Sequence, residues 1–299
     1  MVKITLDEDM ESWYLNEIGK FFKRNQTYSY KEASKIVKKS LGISFKKLLV
    51  SSPDELLGIA QKIKDNKPNS FESDKKIMIA MYEKFRSSVS SKNFIEKVNL
   101  KVCPYCNRNY IFNFKKKNEK EATAQLDHFI DKGTYPYLSL CLYNLVPSCG
   151  TCNQRKSKKD VLDEPIYNPY SDNIHNHIKF SANEILASDE LDFFDEKRIN
   201  ITIEPKTADS KIDEHLETFN IKGLYNNHKD IVAELYQKSV IYSDGYIDEL
   251  IESFGADVFE SRDDLLRLIT CGYVDDDSLN MRPMSKLIKD ISEELGLLK

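Results

Sequence analysis

The sequence predicts an α+β protein in which a small central strand–strand–helix module sits between mainly helical N- and C-terminal regions. Three observations lead there. Apolar residues recur at helical spacing near both ends of the chain. Short apolar or aromatic runs in the middle, at 110–112, 123–129 and 145–146, read as strands. Two Cys-x-x-Cys pairs, Cys103/Cys106 and Cys149/Cys152, bracket those runs. The expected division is residues 1–95, helical; 96–172, the central module; and 173–299, a small hairpin followed by helices.

In the first region, Ser29-x-x-Glu32 is a capping box ahead of Ala33, Ile36 and Val37, and Gly42 stops that helix. Ser52-Pro53-Asp54-Glu55 starts a second helix with proline at its first position, and Leu56, Ile59, Ala60 and Ile63 form its apolar stripe. A loop over 65–73, containing Pro68, precedes a third helix from Asp74 to Phe85. In the module, 110–112 forms a strand, Lys115 to Lys120 a turn and 123–129 a second strand carrying Asp127 and His128. A loop through Gly133 and Pro136 leads to a short strand at 145–146, and a helix beginning near Thr151 carries Asn153, Arg155 and Lys156. Beyond it, 177–180 and 199–203 pair as a hairpin around an acidic excursion from Ser188 to Glu196. Four helices follow, marked by Ile231, Leu235 and Val240; by Tyr246 to Ser253; by Leu265, Leu266 and Leu268; and by Leu287, Ile288 and Ile291.

A chain of 299 residues with 40% hydrophobic content can bury one large core or two to three smaller ones. The N-terminal residues do not resemble a signal peptide, and no apolar run approaches the roughly 18 residues that span a membrane, so a cytoplasmic protein without membrane contact is expected. Six cysteines, four of them in close pairs, argue in a reducing compartment for metal rather than disulfides. Cys141 and Cys271 stand apart and read as small buried apolar residues. His175, His177, His215 and His228 read as ordinary polar residues. The net charge of −4 is unevenly spread: residues 97–160 carry +7, so the remainder carries −11. A basic module in an acidic chain suits local contact with phosphates, and equally suits a solvated surface.

Two Cys-x-x-Cys knuckles can converge on one tetrahedral ion, and Zn²⁺ suits four thiolates without redox chemistry. With all four positions filled, such an ion is structural and spares a small unit from relying on a tiny apolar core. The competing reading is four unligated core thiols. Asp127-His128 supplies different chemistry. A neutral imidazole, with a free pKa near 6.5, can deprotonate water, and one carboxylate plus one amide oxygen suffice for Mg²⁺ or Mn²⁺. Asp127 and Asn153 fit the ligand roles and His128 the base, so activity should fall below about pH 6. Asp127 and His128 can share one site only if the strand ends or bends, since strand neighbours face opposite ways. Arg155 and Lys156 lie within a turn of Asn153, where they could grip phosphates. The run from Lys115 to Lys117 reads as a solvated turn or, less simply, as a DNA contact.

Over about 60 residues the spacing of Cys103, Cys106, Asp127, His128, Asn144, Asn153, Cys149 and Cys152 resembles the HNH endonuclease family in its zinc-stapled ββα-metal form. That resemblance implies a metal-binding Asp127 before a catalytic His128, an Asn144 that holds the loop and orients His128, and Asn153 as the metal-binding helix residue of an HNN variant. It implies single-metal hydrolysis of DNA. The segment from Leu126 to Tyr143, with the later Asn168-Pro-Tyr-Ser-Asp172, is similar to the HNH nuclease subunits of the Septu and retron-associated anti-phage systems. This implies a partner ATPase. The chain has no Walker-type glycine-rich loop, so any ATPase would be a separate protein. Two alternatives stand beside the nuclease: a non-catalytic zinc module that binds nucleic acid, and an adaptor that only assembles a complex.

Overall fold

The computed structural model describes residues 3–117, 119–182, 199–255 and 257–298. They are a mixture of helices and short antiparallel strand pairs, an α+β fold, and they fall into two compact units. One comprises residues 3–100 and 111–172; the other comprises 101–110 and 173–299. This differs from the three consecutive regions read from the sequence, because the first cysteine knuckle packs with the C-terminal residues.

The first unit opens with six helices: α1 (Met10–Arg24), α2 (Tyr30–Leu41), α3 (Phe45–Leu49), α4 (Pro53–Asp65), α5 (Phe71–Arg86) and α6 (Val89–Val98). Their ends follow the capping signals. Ser52 and Glu55 close a complete capping box on α4, with Pro53 at its start. At α2 only half the box forms, with Ser29 Oγ accepting from Glu32 N–H, and Gly42 ends the helix at φ 72°, a conformation glycine adopts without strain. The buried stripe of α4 is Leu56, Ala60 and Ile63. The core interlocks aromatic rings edge to face, Phe21 on Phe85 and Tyr14 on Phe94, both at 5.5 Å. Buried Asp74 accepts from Ser40, Ser70 and Tyr137 hydroxyls at 2.7–2.8 Å.

Two hairpins and a helix complete this unit. β1 (Asn113–Lys116) pairs with β2 (Glu119–Ala122), and β3 (Gln125–His128) pairs with β4 (Leu145–Ser148), both antiparallel. α7 (Gly150–Lys156) follows β4 directly. The expected strand at 110–112 lies three residues later, and the expected turn from Lys115 to Lys120 is mostly strand. Lys117, at φ 48°, ends the first strand, and the exposed Lys115 and Lys116 obscure the strand pattern in the sequence. The expected strand over 123–129 divides between the end of the first hairpin and β3.

In the second unit β5 (Ile178–Ser181) pairs antiparallel with β6 (Thr202–Pro205), as the expected hairpin, while the acidic excursion lies outside the described residues. Six helices follow: α8 (Ser210–Thr218), α9 (Ile221–Tyr225), α10 (Lys229–Ile241), α11 (Asp244–Phe254), α12 (Arg262–Thr270) and α13 (Ser285–Glu294). α13 anchors β5, its buried Asp290 accepting from Phe180 N–H at 2.8 Å while ion-paired to Lys286 at 2.6 Å. No helix among the described residues is long and apolar enough to cross a membrane.

Candidate active site and metal centre

Cys103 and Cys106 lie in a tight loop whose backbone folds on itself: Asn107 N–H donates to Cys103 O at 2.9 Å and Cys103 N–H to Asn109 O at 3.0 Å. Asn107 is the hinge, buried and left-handed at φ 51°. Its amide donates to Leu279 O and accepts from Lys286 N–H, and its carbonyl accepts from Met284 N–H. Arg108 N–H points at Cys106 Sγ, 3.4 Å away, a donor that favours thiolate. Cys149 caps α7 and Cys152 sits in its first turn, where the helix N-terminus also favours thiolate.

The four sulfurs lie within 4.8 Å of one another, and all four cysteines are buried. A tetrahedral Zn²⁺ with bonds of about 2.3 Å would hold its sulfurs about 3.8 Å apart. The donor set is all sulfur, which fits a closed structural zinc site. Cys141 is also buried and its thiol is pushed far above the usual range by desolvation, as expected of an inert apolar residue. Cys271 differs from expectation: it is exposed, at φ 59° where α12 ends.

The β3 strand separates the other candidate residues onto two faces. Gln125 and Asp127, two apart, face α7. Asn153 Nδ2 donates to Gln125 Oε1 at 2.7 Å, and Lys156 Nζ lies 3.3 Å from Asp127 Oδ2. Lys156 also donates to the His128 carbonyl at 2.5 Å and its side chain is wholly inaccessible. Lys156 thus differs from the expected phosphate grip: it is a buried counter-ion to Asp127, whereas Arg155 is exposed.

His128 projects the other way. Its Nε2 lies 2.9 Å from Ser139 O. A carbonyl only accepts, so Nε2 carries the proton and the lone pair rests on Nδ1. The ring meets the edge of Tyr82 on α5 at 4.3 Å and 73°. Lys132 Nζ stacks over that tyrosine at 4.2 Å and reaches Glu83 at 2.9 Å. Burial lowers the His128 pKa to about 3, against the opposing Ser139 hydrogen bond, and the cations of Lys132, Lys156 and Arg86 press it the same way. The ordinary imidazole value used for the sequence expectation therefore does not apply.

Asn144 sits behind this pair. Its Oδ1 accepts from Ile130 N–H at 2.7 Å, its Nδ2 donates to Ile130 O and Leu138 O at 3.0 Å, and its carbonyl accepts from Phe129 N–H. It thus ties both ends of the loop after β3 to the start of β4. Tyr82, Lys132, Gln125 and Ser139 escaped the sequence reading. The first three had no motif to flag them, and Ser139 acts through a carbonyl that every residue has.

The remaining histidines are not surface residues throughout. His215 is buried, with Nε2 3.1 Å from Tyr105 O, and His175 is buried beside Asp276. Desolvation lowers their pKa values to about 3 and about 4.

The molecule is thus an α+β protein with a buried four-thiol cluster that could hold a metal ion and a histidine–aspartate strand facing a short helix. Over 97 residues it is 36% identical to the Septu protein PtuB of Bacillus thuringiensis. That stretch covers 31% of this chain and 35% of the relative, so the match spans about a third of each. No protein-family model and no solved structure matches the chain.

Proposed function

We propose that this protein is a metal-dependent HNH-type endonuclease that hydrolyses DNA, with His128 as general base. The observation that carries the reading is the His128 geometry: a strand-borne imidazole held in one neutral tautomer, Nδ1 lone pair available, beside Asp127 and across a hairpin from Asn144. Burial keeps the ring neutral throughout the physiological range, and it also makes the imidazole a weaker base than a solvated one, so the base role requires the ring to gain solvent or a stabilising neighbour when DNA binds. Asn144 fixes the loop that presents Ser139 O to the ring, so it positions the base. Arg155 faces solvent where it can contact a phosphate beside the scissile one. The residues the resemblance assigns to Mg²⁺ or Mn²⁺, Asp127 and Asn153, are tied to Lys156 and Gln125 on the face away from the His128 ring, so holding an ion there would require Asp127 to exchange Lys156 for the metal. Such an ion would supply charge neutralisation at the phosphate and the leaving oxygen. Lys156 pairs with Asp127 inside the protein. The four-cysteine centre would hold zinc structurally.

The likeness to Septu protein PtuB supports a role in anti-phage defence together with a partner protein, and the family resemblance implies that this partner is a separate ATPase. The test is plasmid cleavage with Mg²⁺, Mn²⁺ or EDTA, by wild type and His128→Ala, alone and with the protein encoded beside it. Metal-dependent cutting lost in the variant is the expected result. Cutting that survives His128→Ala refutes the assignment. A second reading, a non-catalytic nucleic-acid module, draws on the burial of His128 and the ion pair already on Asp127. It requires DNA binding without cleavage under every one of these conditions.

A further inference from the structure

The hairpin of β1 and β2 takes no part in the site described above, yet it concentrates two features that seldom occur together on an idle surface. Phe112 and Phe114 are each 46% exposed. The pairing continues past the strand end, since Thr123 N–H donates to Phe112 O at 2.9 Å and Phe112 N–H to Thr123 Oγ1 at 2.8 Å. Phe112 and Phe114 are thus two apart in an extended segment and project from one face, with Lys116 next along it. Lys115, Lys116 and Lys117 are all exposed.

Two charges of the other strand are engaged by helix α6. On β2, Glu121 is held by Lys92 of α6 at 3.2 Å, and Lys120 by Glu96 at 2.5 Å and Asn93 at 2.8 Å. α6 therefore secures β2, and the basic, aromatic strand β1 is the outer one. Three exposed lysines in succession raise the local positive potential that attracts a polyanion, and exposed rings beside them offer stacking surfaces that any base can use.

We propose that β1 is a binding element for single-stranded nucleic acid, with bases stacked on Phe112 and Phe114, the phosphate backbone drawn to Lys116 on the same face, and Lys115 and Lys117 adding to the local positive charge. The charge selects a polyanion over an apolar protein partner. The exposed rings select unpaired bases over duplex, whose base faces are covered.

The test is fluorescence anisotropy of labelled twenty-nucleotide oligo-dT, the matching oligo-U and a duplex of equal length, titrated with full-length His128→Ala protein between 50 and 300 mM KCl. Tighter binding to the single strands than to the duplex is expected. Phe112→Ala/Phe114→Ala should weaken single-strand binding about tenfold or more and leave duplex binding unchanged. Phe114→Trp should restore affinity to the Phe114→Ala protein. Lys115→Gln/Lys116→Gln/Lys117→Gln should reduce the log–log salt slope by about 2, from roughly 0.7 per phosphate contact. Equal weakening on duplex, or unchanged affinity and slope in both variants, overturns the proposal and leaves the lysines as guards against edge-strand pairing. This surface excludes His128, so the two readings fail separately. Cleavage by wild type with indifferent hairpin variants sinks this one alone. Hairpin-dependent binding without cleavage sinks the nuclease alone.

Discussion

Replacing Lys156 by Met should destabilise the first unit far more than any exposed lysine would. The ammonium is inaccessible and lies 3.3 Å from a carboxylate that is itself 3% exposed. At that distance and an effective dielectric near 20, the gross attraction is about 5 kcal/mol. Removing the lysine leaves the Asp127 charge buried without its counter-ion, a cost of about 3–5 kcal/mol. It also strips a donor from the His128 carbonyl, which adds about 1–3 kcal/mol if nothing replaces it. Asp127→Asn strands the buried Lys156 ammonium instead, a similar cost of about 3–5 kcal/mol, but keeps the donor to the His128 carbonyl. Combining the two removes both charges, so the double variant should be at least about 2 kcal/mol more stable than the sum of the single losses predicts. Urea denaturation of the four proteins at constant zinc completes the cycle, provided the slope with denaturant stays unchanged. A Lys156→Met cost below about 1 kcal/mol, or additivity within about 0.5 kcal/mol, would refute the buried-pair argument.

Other outcomes follow from the same structure. The folded His128 pKa of about 3 lies below the ordinary imidazole value, so the native state excludes a proton that the unfolded chain takes up. Its contribution is complete above about pH 6.5 and shrinks as pH falls, by about 2 kcal/mol at pH 5. His128→Gln should flatten that part of a melting-temperature profile, and parallel profiles would contradict it. Cleavage should fall off below about pH 6, because the base role requires the ring to gain solvent or a stabilising neighbour when DNA binds; a rate that persists well below pH 6 would mean the ring keeps its buried character in the working protein. Cys103→Ser and Cys152→Ser should each abolish zinc retention and lower the melting temperature. Metal analysis showing no zinc in wild type would remove the structural role. Arg155→Gln should raise KM for DNA severalfold with little change in melting temperature, and an unaltered KM would detach that side chain from substrate.

Local chemistry was the readable part of this chain. Ser52-Pro53-Asp54-Glu55 became a full capping box, and Leu56, Ala60 and Ile63 became the buried stripe of α4. The two Cys-x-x-Cys pairs were visible because four thiols at knuckle spacing have few other uses. What stayed hidden depended on partners distant in sequence. Tyr82 and His128 are 46 residues apart and meet only through the packing of α5 on the hairpin. Lys156 read as a surface cation because lysine is so rarely buried, and only the nearby Asp127 makes burial tolerable. The first hairpin was misplaced by three residues because the Tyr110-Ile111-Phe112 run drew the strand earlier, while the paired residues include Lys115, Lys116, Glu119 and Lys120, which read as a turn.

The Asn144 amide also bears on how the molecule ages. It works as donor and acceptor at once, giving two hydrogens to carbonyls and taking one from an amide. Spontaneous deamidation would turn the donating nitrogen into a second carboxylate oxygen, set against the carbonyls of Ile130 and Leu138. The loop beside His128 would then be repelled by the group that had tied it down. Burial and three hydrogen bonds hold the amide away from that reaction, so the loop is protected for as long as this part of the protein stays folded.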